Sequence, residues 1–153
     1  MQFQQIKSTD NIKDIVKSAF DLNLDISGLW GYDEHNATNI LSIGDLTKQQ
    51  LEFTLMSVRA HIQMNMTLDE EDRYAGINPS EVSRETLTIN HKIYDKVVYK
   101  ITAIKEIPYK KFMKEYKENY GKNNFDIQAH FEQRKKYSIQ LTSIYWFDIT
   151  KII

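Results

Sequence analysis

The segment from Leu46 to Met66 constrains the fold most strongly, because it contains neither glycine nor proline and predicts one long helix. Asp45 or Thr47 can cap its N-terminus. At 100° per residue its apolar side chains fall on two opposite stripes. The first stripe comprises Leu51, Leu55, Val58, Ile62 and Met66, and the second comprises Phe53, Met56, Ala60 and Met64. Both stripes must be buried, so this helix needs protein on two sides.

The second stripe has two interpretations. Methionine and aromatic side chains are enriched at protein interfaces, so Phe53, Met56, Ala60 and Met64 form a candidate interface for a homodimer. The other helices of the chain could instead cover this stripe as an internal layer. The sequence leaves both alternatives open.

Alternating apolar residues predict strands on either side of this helix. Residues 22–32 and 38–43 predict a hairpin with a four-residue loop at 33–36. Residues 86–89 and 92–104 predict a second hairpin around Asn90 and His91, and residues 137–149 predict a terminal strand with Tyr137 facing inward.

The remaining segments predict helices. Asp10 can cap a helix that includes Ile12 to Phe20, Pro108 can open one that ends at Gly121, and 126–136 form another that packs through Ile127 and Phe131. Thr67–Glu70 and Asn78–Glu81 resemble capping boxes and predict two short helical turns, the first ending at Gly76. We therefore expect residues 1–153 to form a single α+β domain. It should contain one mostly antiparallel sheet of about five strands, with its helices packed largely on one face.

Charge is divided unequally along the chain. Residues 1–85 contain seven Lys and Arg against 14 Asp and Glu, whereas residues 86–153 contain 13 against seven. The opposite charges can meet within one chain, or the basic half can receive an anionic partner. Only four of the 20 basic residues are arginine, which argues against nucleic acid as that partner.

The sequence lacks the residues that many catalytic and cofactor sites require. It contains no cysteine, which excludes disulfides and thiolate chemistry, and no phosphate-binding or hydrolase motif. Its four histidines are far apart, so we predict no metal site and no cofactor, and we lean against an enzyme. No stretch has the apolar length of a signal peptide or a membrane span, which favours a cytoplasmic location and argues against a membrane partner.

Two loops carry the residue types that bind ligands. Gly28 and Gly31 flank an aromatic pair beside a turn, a pattern typical of a bulge or of a surface that a ligand approaches closely. The candidate ligand- or partner-binding residues are Trp30, Tyr32, Asp33 and His35 in this loop, and Arg73 and Tyr74 in the second. The alternative is that Trp30 and Tyr32 simply fill the core.

The leading hypothesis is a non-catalytic binding or protein-interaction module, such as a small regulatory or partner-neutralising protein with an unidentified protein partner. The alternative is an enzyme or small-ligand binder with a site between Trp30 and His35. A second alternative is nucleic-acid binding through the Lys- and Tyr-rich C-terminal half.

Overall fold

The computed structural model describes residues 3–7 and 10–153, which form four helices, five strands and several short helical turns. The helices are α1 (Ile12–Phe20), α2 (Lys48–His61), α3 (Glu106–Asn119) and α4 (Ile127–Lys136). The strands are β1 (Ile26–Gly28), β2 (Thr38–Ile40), β3 (Tyr74–Ile89), β4 (Lys92–Lys105) and β5 (Ser138–Asp148). The α+β class with one sheet is confirmed.

The five strands form a single sheet in the order β1-β2-β5-β4-β3. All neighbouring pairs are antiparallel except β2 and β5, which pair in parallel through Thr38 with Phe147 and Asn39 with Asp148. Because β2 reaches only the last two residues of β5, most of β5 has a strand neighbour on one side only. This short pairing positions the site described below.

Helices α1 and α2 pack against one face of the sheet. Alternate residues of the central strands point toward them and are buried, as the period of two predicts. These residues are Val97, Tyr99, Ile101 and Ala103 of β4 with Tyr145 and Phe147 of β5. Thr47 caps α2 through a complete capping box with Gln50.

The second stripe of α2 is largely internal. Met56, Ala60 and Met64 are buried within the chain, whereas the Phe53 side chain is 41 % exposed. A π-helical turn over Ile62–Met66 continues α2 and shifts its register. This shift leaves Met66 exposed, so the first stripe does not extend to it.

The hairpin around Asn90 and His91 is confirmed, and it is longer than predicted. Both turn residues have positive φ, of 49° and 68°, which matches the handedness that a two-residue hairpin turn requires. The predicted helical turn at Asn78–Glu81 is wrong, because these residues belong to β3. Pro79 is tolerated there since β3 is an edge strand, and Gly76 lies at a bulge in β3 and does not end a helix.

Two smaller predictions also need correction. Asn11, not Asp10, caps α1. The first hairpin has shorter strands and a nine-residue connection, because the positive φ values of Gly28 and Gly31 end the extended backbone and Glu34–Asn36 form a helical turn. No helix within residues 3–7 and 10–153 is long and apolar enough to cross a bilayer.

Helices α3 and α4 form a hairpin that joins the end of β4 to the start of β5. No residue of α3 is buried, and His130 is the buried residue of α4. The prediction that α4 packs through Ile127 and Phe131 holds only in part, because these residues are 41 % and 48 % exposed, although the Phe131 ring lies 6.0 Å from that of Tyr116 on α3. Tyr137, predicted to face inward, is 53 % exposed.

Candidate functional site

A groove of about 350 Å³ lies along the unpaired side of β5. The four consecutive residues Leu141–Ile144 form its β5 wall, and Ile101 of β4 contributes from the sheet. The other lining residues are Phe3 and Gln5 of the N-terminal segment, Tyr32 of the first loop, and Ala60, Gln63 and Met64 near the end of α2. The groove therefore has an exposed strand edge on one side and a mixed polar and apolar surface on the others.

The unpaired side of β5 can be identified from its hydrogen bonds. Trp146 donates its backbone N–H to the carbonyl of Gly31 at 2.7 Å, and the carbonyl of Ile144 accepts from Arg59 at 2.7 Å, both away from β4. Backbone groups of every second residue in a strand point to the same side, so those of Gln140 and Thr142 also point away from β4. Within residues 3–7 and 10–153, no strand pairs with β5 on this side before Phe147.

Arg59 ends the paired part of this edge. Its guanidinium donates to the carbonyls of Trp30 at 2.9 Å and Ile144 at 2.7 Å, and to Oγ of Ser143 at 2.9 Å. The group also lies between the aromatic rings of Tyr32 and Tyr145, 4.5 and 4.2 Å from their centroids. Arg59 thus donates the hydrogen bond to β5 that a neighbouring strand would otherwise donate.

Arg59 is fully buried and has no carboxylate within 4.0 Å among the described residues. Burial lowers the pKa of its guanidinium, and the nearby phenols of Tyr145 and Tyr32 act in the opposite direction. Arginine still carries its charge in such surroundings. Carbonyl oxygens and ring faces therefore compensate this charge in place of an acid.

The N-terminal segment 3–7 forms the outer wall of the groove. The phenol oxygen of Tyr32 accepts a hydrogen bond from the N–H of Ile6 at 3.0 Å, and Nε2 of Gln63 donates to the carbonyl of Gln4 at 3.1 Å. The ring of Phe3 contacts that of Tyr74 edge to face, 5.5 Å between centroids. Each of these contacts involves a side chain, whereas paired strands are joined by hydrogen bonds between backbone groups.

No protein-family model, curated protein or solved structure matches this chain. Its function is therefore inferred from its own residues.

The structure brings together only some of the residues predicted to bind a ligand. Tyr32 lines the groove, and Tyr74 contacts its outer wall through Phe3. Trp30 is buried in the core, where it contributes the carbonyl that Arg59 binds. Tyr32 is thus the predicted residue that the groove uses directly.

The other predicted residues have local roles. Asp33 accepts from the N–H of Asn36 and caps the helical turn at Glu34–Asn36. The His35 side chain is 85 % exposed and lies 3.6 Å from Glu34. Nε of Arg73 donates to the carbonyl of Leu68 at 3.0 Å. These contacts do not assemble a catalytic group.

The structure contains a buried pair of carboxyl groups, Glu52 on α2 and Asp95 on β4, that sequence patterns did not indicate. Both are fully buried, and Arg84 of β3 lies between them, 3.0 Å from Glu52 and 3.4 Å from Asp95. Asp95 also binds Lys48 at 2.8 Å and accepts from Thr86 at 2.7 Å. The pair connects α2 to the β3–β4 hairpin.

The two carboxyl groups differ in their affinity for protons. Burial, followed by the neighbouring Asp95 carboxyl group, raises the pKa of Glu52 to about 8, against the effect of Arg84. Burial alone would raise the pKa of Asp95, but its interactions with Glu52, Lys48 and Thr86 outweigh this effect and lower the pKa. One proton is therefore held on the Glu52 side. Complete burial keeps this proton from any substrate in this conformation.

A third acidic group lies on the surface. Carboxylate oxygens of Asp69, Glu71 and Asp72 lie within 4.8 Å of one another, and all three residues are exposed. Lys105 lies 3.6 Å from Asp72. At this point the acidic N-terminal half meets the basic C-terminal half within one chain.

Proposed function

We propose that this chain is a non-catalytic protein-interaction module that binds an extended segment of a partner protein along the free edge of β5. The observation that carries this proposal is that, among the residues the structure describes, no strand pairs with the backbone groups of Gln140 and Thr142 that point away from β4, and that Thr142 lines a groove of about 350 Å³. An extended peptide can bind such an edge by adding a strand to the sheet.

The surface of the groove supports a segment with alternating side chains. Ala60, Met64 and Ile101 offer an apolar floor, whereas Gln5, Gln63 and Ser143 offer hydrogen-bonding groups. Successive side chains of an added strand point to opposite sides. We expect apolar residues of the partner at every second position, facing this floor.

The opposite edge of the sheet is less suited to this role. The outer strand β3 carries Pro79 and has register shifts between Ala75 and Asn78 and between Glu81 and Ser83. Proline and bulges are features that discourage pairing at an edge. Over residues 138–143, β5 carries no proline, and its register with β4 is continuous.

A small-ligand binder at the same groove is the second candidate, because Tyr32 and Ser143 place two hydroxyl groups on its lining. It differs from the first candidate in using side chains instead of the strand edge. The cytoplasmic location and the homodimer through the helix stripe that contains Phe53 and Met64 remain predictions, which fractionation and light scattering would check.

Selection of peptides from a random library on the full chain tests the proposal. Exchange of amide hydrogens then shows whether a selected peptide protects the N–H groups of Gln140 and Thr142. Thr142→Pro removes one of these donors, whereas Thr142→Ala keeps it and removes only the side chain. We expect the proline variant to lose binding by at least tenfold and the alanine variant to retain it.

Equal loss in both variants would contradict strand addition and favour side-chain recognition of a small ligand. Failure of the library to yield any peptide that protects these amides would also contradict it.

A further inference from the structure

The helical hairpin of residues 106–137 has surface features that the β5 groove does not use. It contains eight Lys and Arg against five Asp and Glu. Its residues also include several large apolar side chains that are exposed. They are Ile107, Met113, Tyr120, Ile127, Phe131 and Tyr137.

The inside of this hairpin is built around His130. Its imidazole is surrounded by the rings of Phe112, Tyr116 and Phe125, with centroids 5.8, 5.6 and 5.6 Å away. Nδ1 of His130 lies 3.2 Å from a carboxylate oxygen of Glu115. These contacts hold α4 against α3.

Some of these exposed side chains form an apolar patch on α3. A shallow groove of about 550 Å³ is lined by Met113, Lys114, Tyr116, Lys117 and Tyr120. The Tyr116 ring lies between those of Tyr120, at 5.2 Å, and Phe131, at 6.0 Å. The Tyr120 side chain is 67 % exposed, so this patch is open to a partner.

Positive charge borders the patch. Lys114 and Lys117 line it directly, and both are exposed. Lys114 lies 4.0 Å from Glu118, whereas Lys117 has no carboxylate within that distance among the described residues. An apolar centre with a basic border is complementary to a surface with an apolar centre and an acidic border.

We infer that this patch binds an acidic amphipathic helix of a partner protein. The apolar side of that helix would cover Met113, Tyr116 and Tyr120, and its carboxylates would face Lys114 and Lys117. This surface shares no lining residue with the β5 groove, so the inference stands independently of the proposed strand addition.

Nucleic acid fits the hairpin less well. Glu115, Glu118 and Glu132 are exposed on it and would repel phosphates. Its one arginine, Arg134, lies over the rings of Phe131 and Tyr109, 5.4 and 5.8 Å from their centroids. Arginine is the side chain best suited to bidentate phosphate binding, and here its planar group is engaged.

The test measures binding of the full chain to two synthetic peptides by fluorescence anisotropy. The first peptide is a helix of glutamate and leucine with leucines at every third and fourth position, and the second has the same composition in scrambled order. A DNA oligonucleotide, single-stranded or duplex, is the third probe. We expect the amphipathic peptide to bind at least tenfold more tightly than the scrambled one.

Two variants separate the contributions of the patch. Tyr120→Ala removes apolar contact, and Lys114→Glu with Lys117→Glu reverses the border. We expect each to weaken the amphipathic peptide at least tenfold. Lys92→Glu with Lys151→Glu is the matched control, because these lysines are exposed outside the hairpin and should change binding less than threefold. Circular dichroism verifies that every variant is folded.

Equal binding of the two peptides, or absence of binding by both, would overturn the inference. Tighter binding of DNA than of the amphipathic peptide, with loss in the charge-reversed variant, would also overturn it and assign the patch to nucleic acid.

Discussion

The guanidinium of Arg59 donates a hydrogen bond of 2.7 Å to the carbonyl oxygen of Ile144 on the side of β5 that faces away from β4. From this contact toward the N-terminal end of β5, no strand within residues 3–7 and 10–153 pairs with this edge. A single side chain thus marks the boundary between the closed and the open part of the sheet.

Arg59→Lys tests how much this contact stabilises the fold. Lysine keeps the charge but cannot reach the carbonyls of Trp30 and Ile144 together, so at least one buried acceptor loses its partner. We expect the free energy of unfolding to fall by about 2–4 kcal/mol in urea titrations. Arg134→Lys, on the half-exposed surface of α4, is the control and should change it by less than about 0.5 kcal/mol. Equal effects would show that Arg59 has no special role.

Glu52→Gln tests the buried carboxyl pair through pH. The pKa of Glu52 is raised to about 8 in the folded state. Its contribution to the free energy of unfolding is therefore complete below its ordinary pKa and is lost as the pH rises through the raised value. The lowered pKa of Asp95 affects stability at acidic pH, because the stabilisation by its ionised form is lost as the pH falls through that pKa. Between pH 5 and 8 we therefore expect wild-type stability to decline, with a slope of up to about 1.4 kcal/mol per pH unit.

Glutamine resembles the protonated form of Glu52, so urea titrations of Glu52→Gln at pH 5, 6.5 and 8 should lose that slope. Glu81→Gln is the matched control, because Glu81 also binds Arg84 but has a lowered pKa and is ionised throughout this range. A slope in Glu52→Gln equal to that of the wild type would refute the assignment.

Gly31→Ala tests the close approach of the first loop to β5. A Cβ at Gly31 would overlap the ring of Tyr145, and the residue has a φ of +77°. We expect a loss of about 3 kcal/mol or more, measured by thermal or urea unfolding. Gly44, with a φ of +59° and open space around it, is the control. Gly44→Ala should lower the free energy of unfolding by only about 1–2 kcal/mol. Equal losses in the two variants would mean that the Tyr145 ring moves to make room for the new Cβ.

His91→Gly tests the turn of the long hairpin. His91 has a φ of 68°, which costs a side chain energy but suits glycine. We expect the variant to gain about 0.5–1 kcal/mol in the free energy of unfolding, whereas His91→Val should lose about 1–2 kcal/mol. Stabilisation by valine would show that the turn has another conformation in solution.

Local features of the sequence predicted the elements that depend on neighbouring residues. Asn90 and His91 tolerate positive φ between two alternating runs, so their hairpin could be recognised. Pro108 and Gly121 likewise indicated α3, which begins at Glu106, two residues before Pro108, and ends at Asn119. In contrast, the helical turn predicted at Asn78 and Pro79 did not form, because these residues pair with β4, which lies farther along the chain.

The site could be predicted only in part, since its groups come from distant segments. Tyr32 was recognised from the glycines around it, but its partner Arg59 binds Ser143 and Ile144, 84 and 85 residues away. Glu52 lies outside both apolar stripes of α2, and its neighbours Arg84 and Asp95 belong to other elements, so its burial could not be predicted. The alternation of β5 was visible, but its unpaired edge depends on how far β2 extends.

The parallel pairing of β2 with β5 has a consequence for how the chain is made. Thr38 reaches the hydroxyl of Tyr145 at 2.7 Å across 107 residues of sequence, and β5 is synthesised after the other four strands of the sheet. Contacts between such distant residues slow folding, because a long loop must close before they form. While the chain is still emerging from the ribosome, β1 and β2 lack their neighbour in the sheet. Native assembly of β1 and β2 in the sheet therefore waits until β5 has been synthesised.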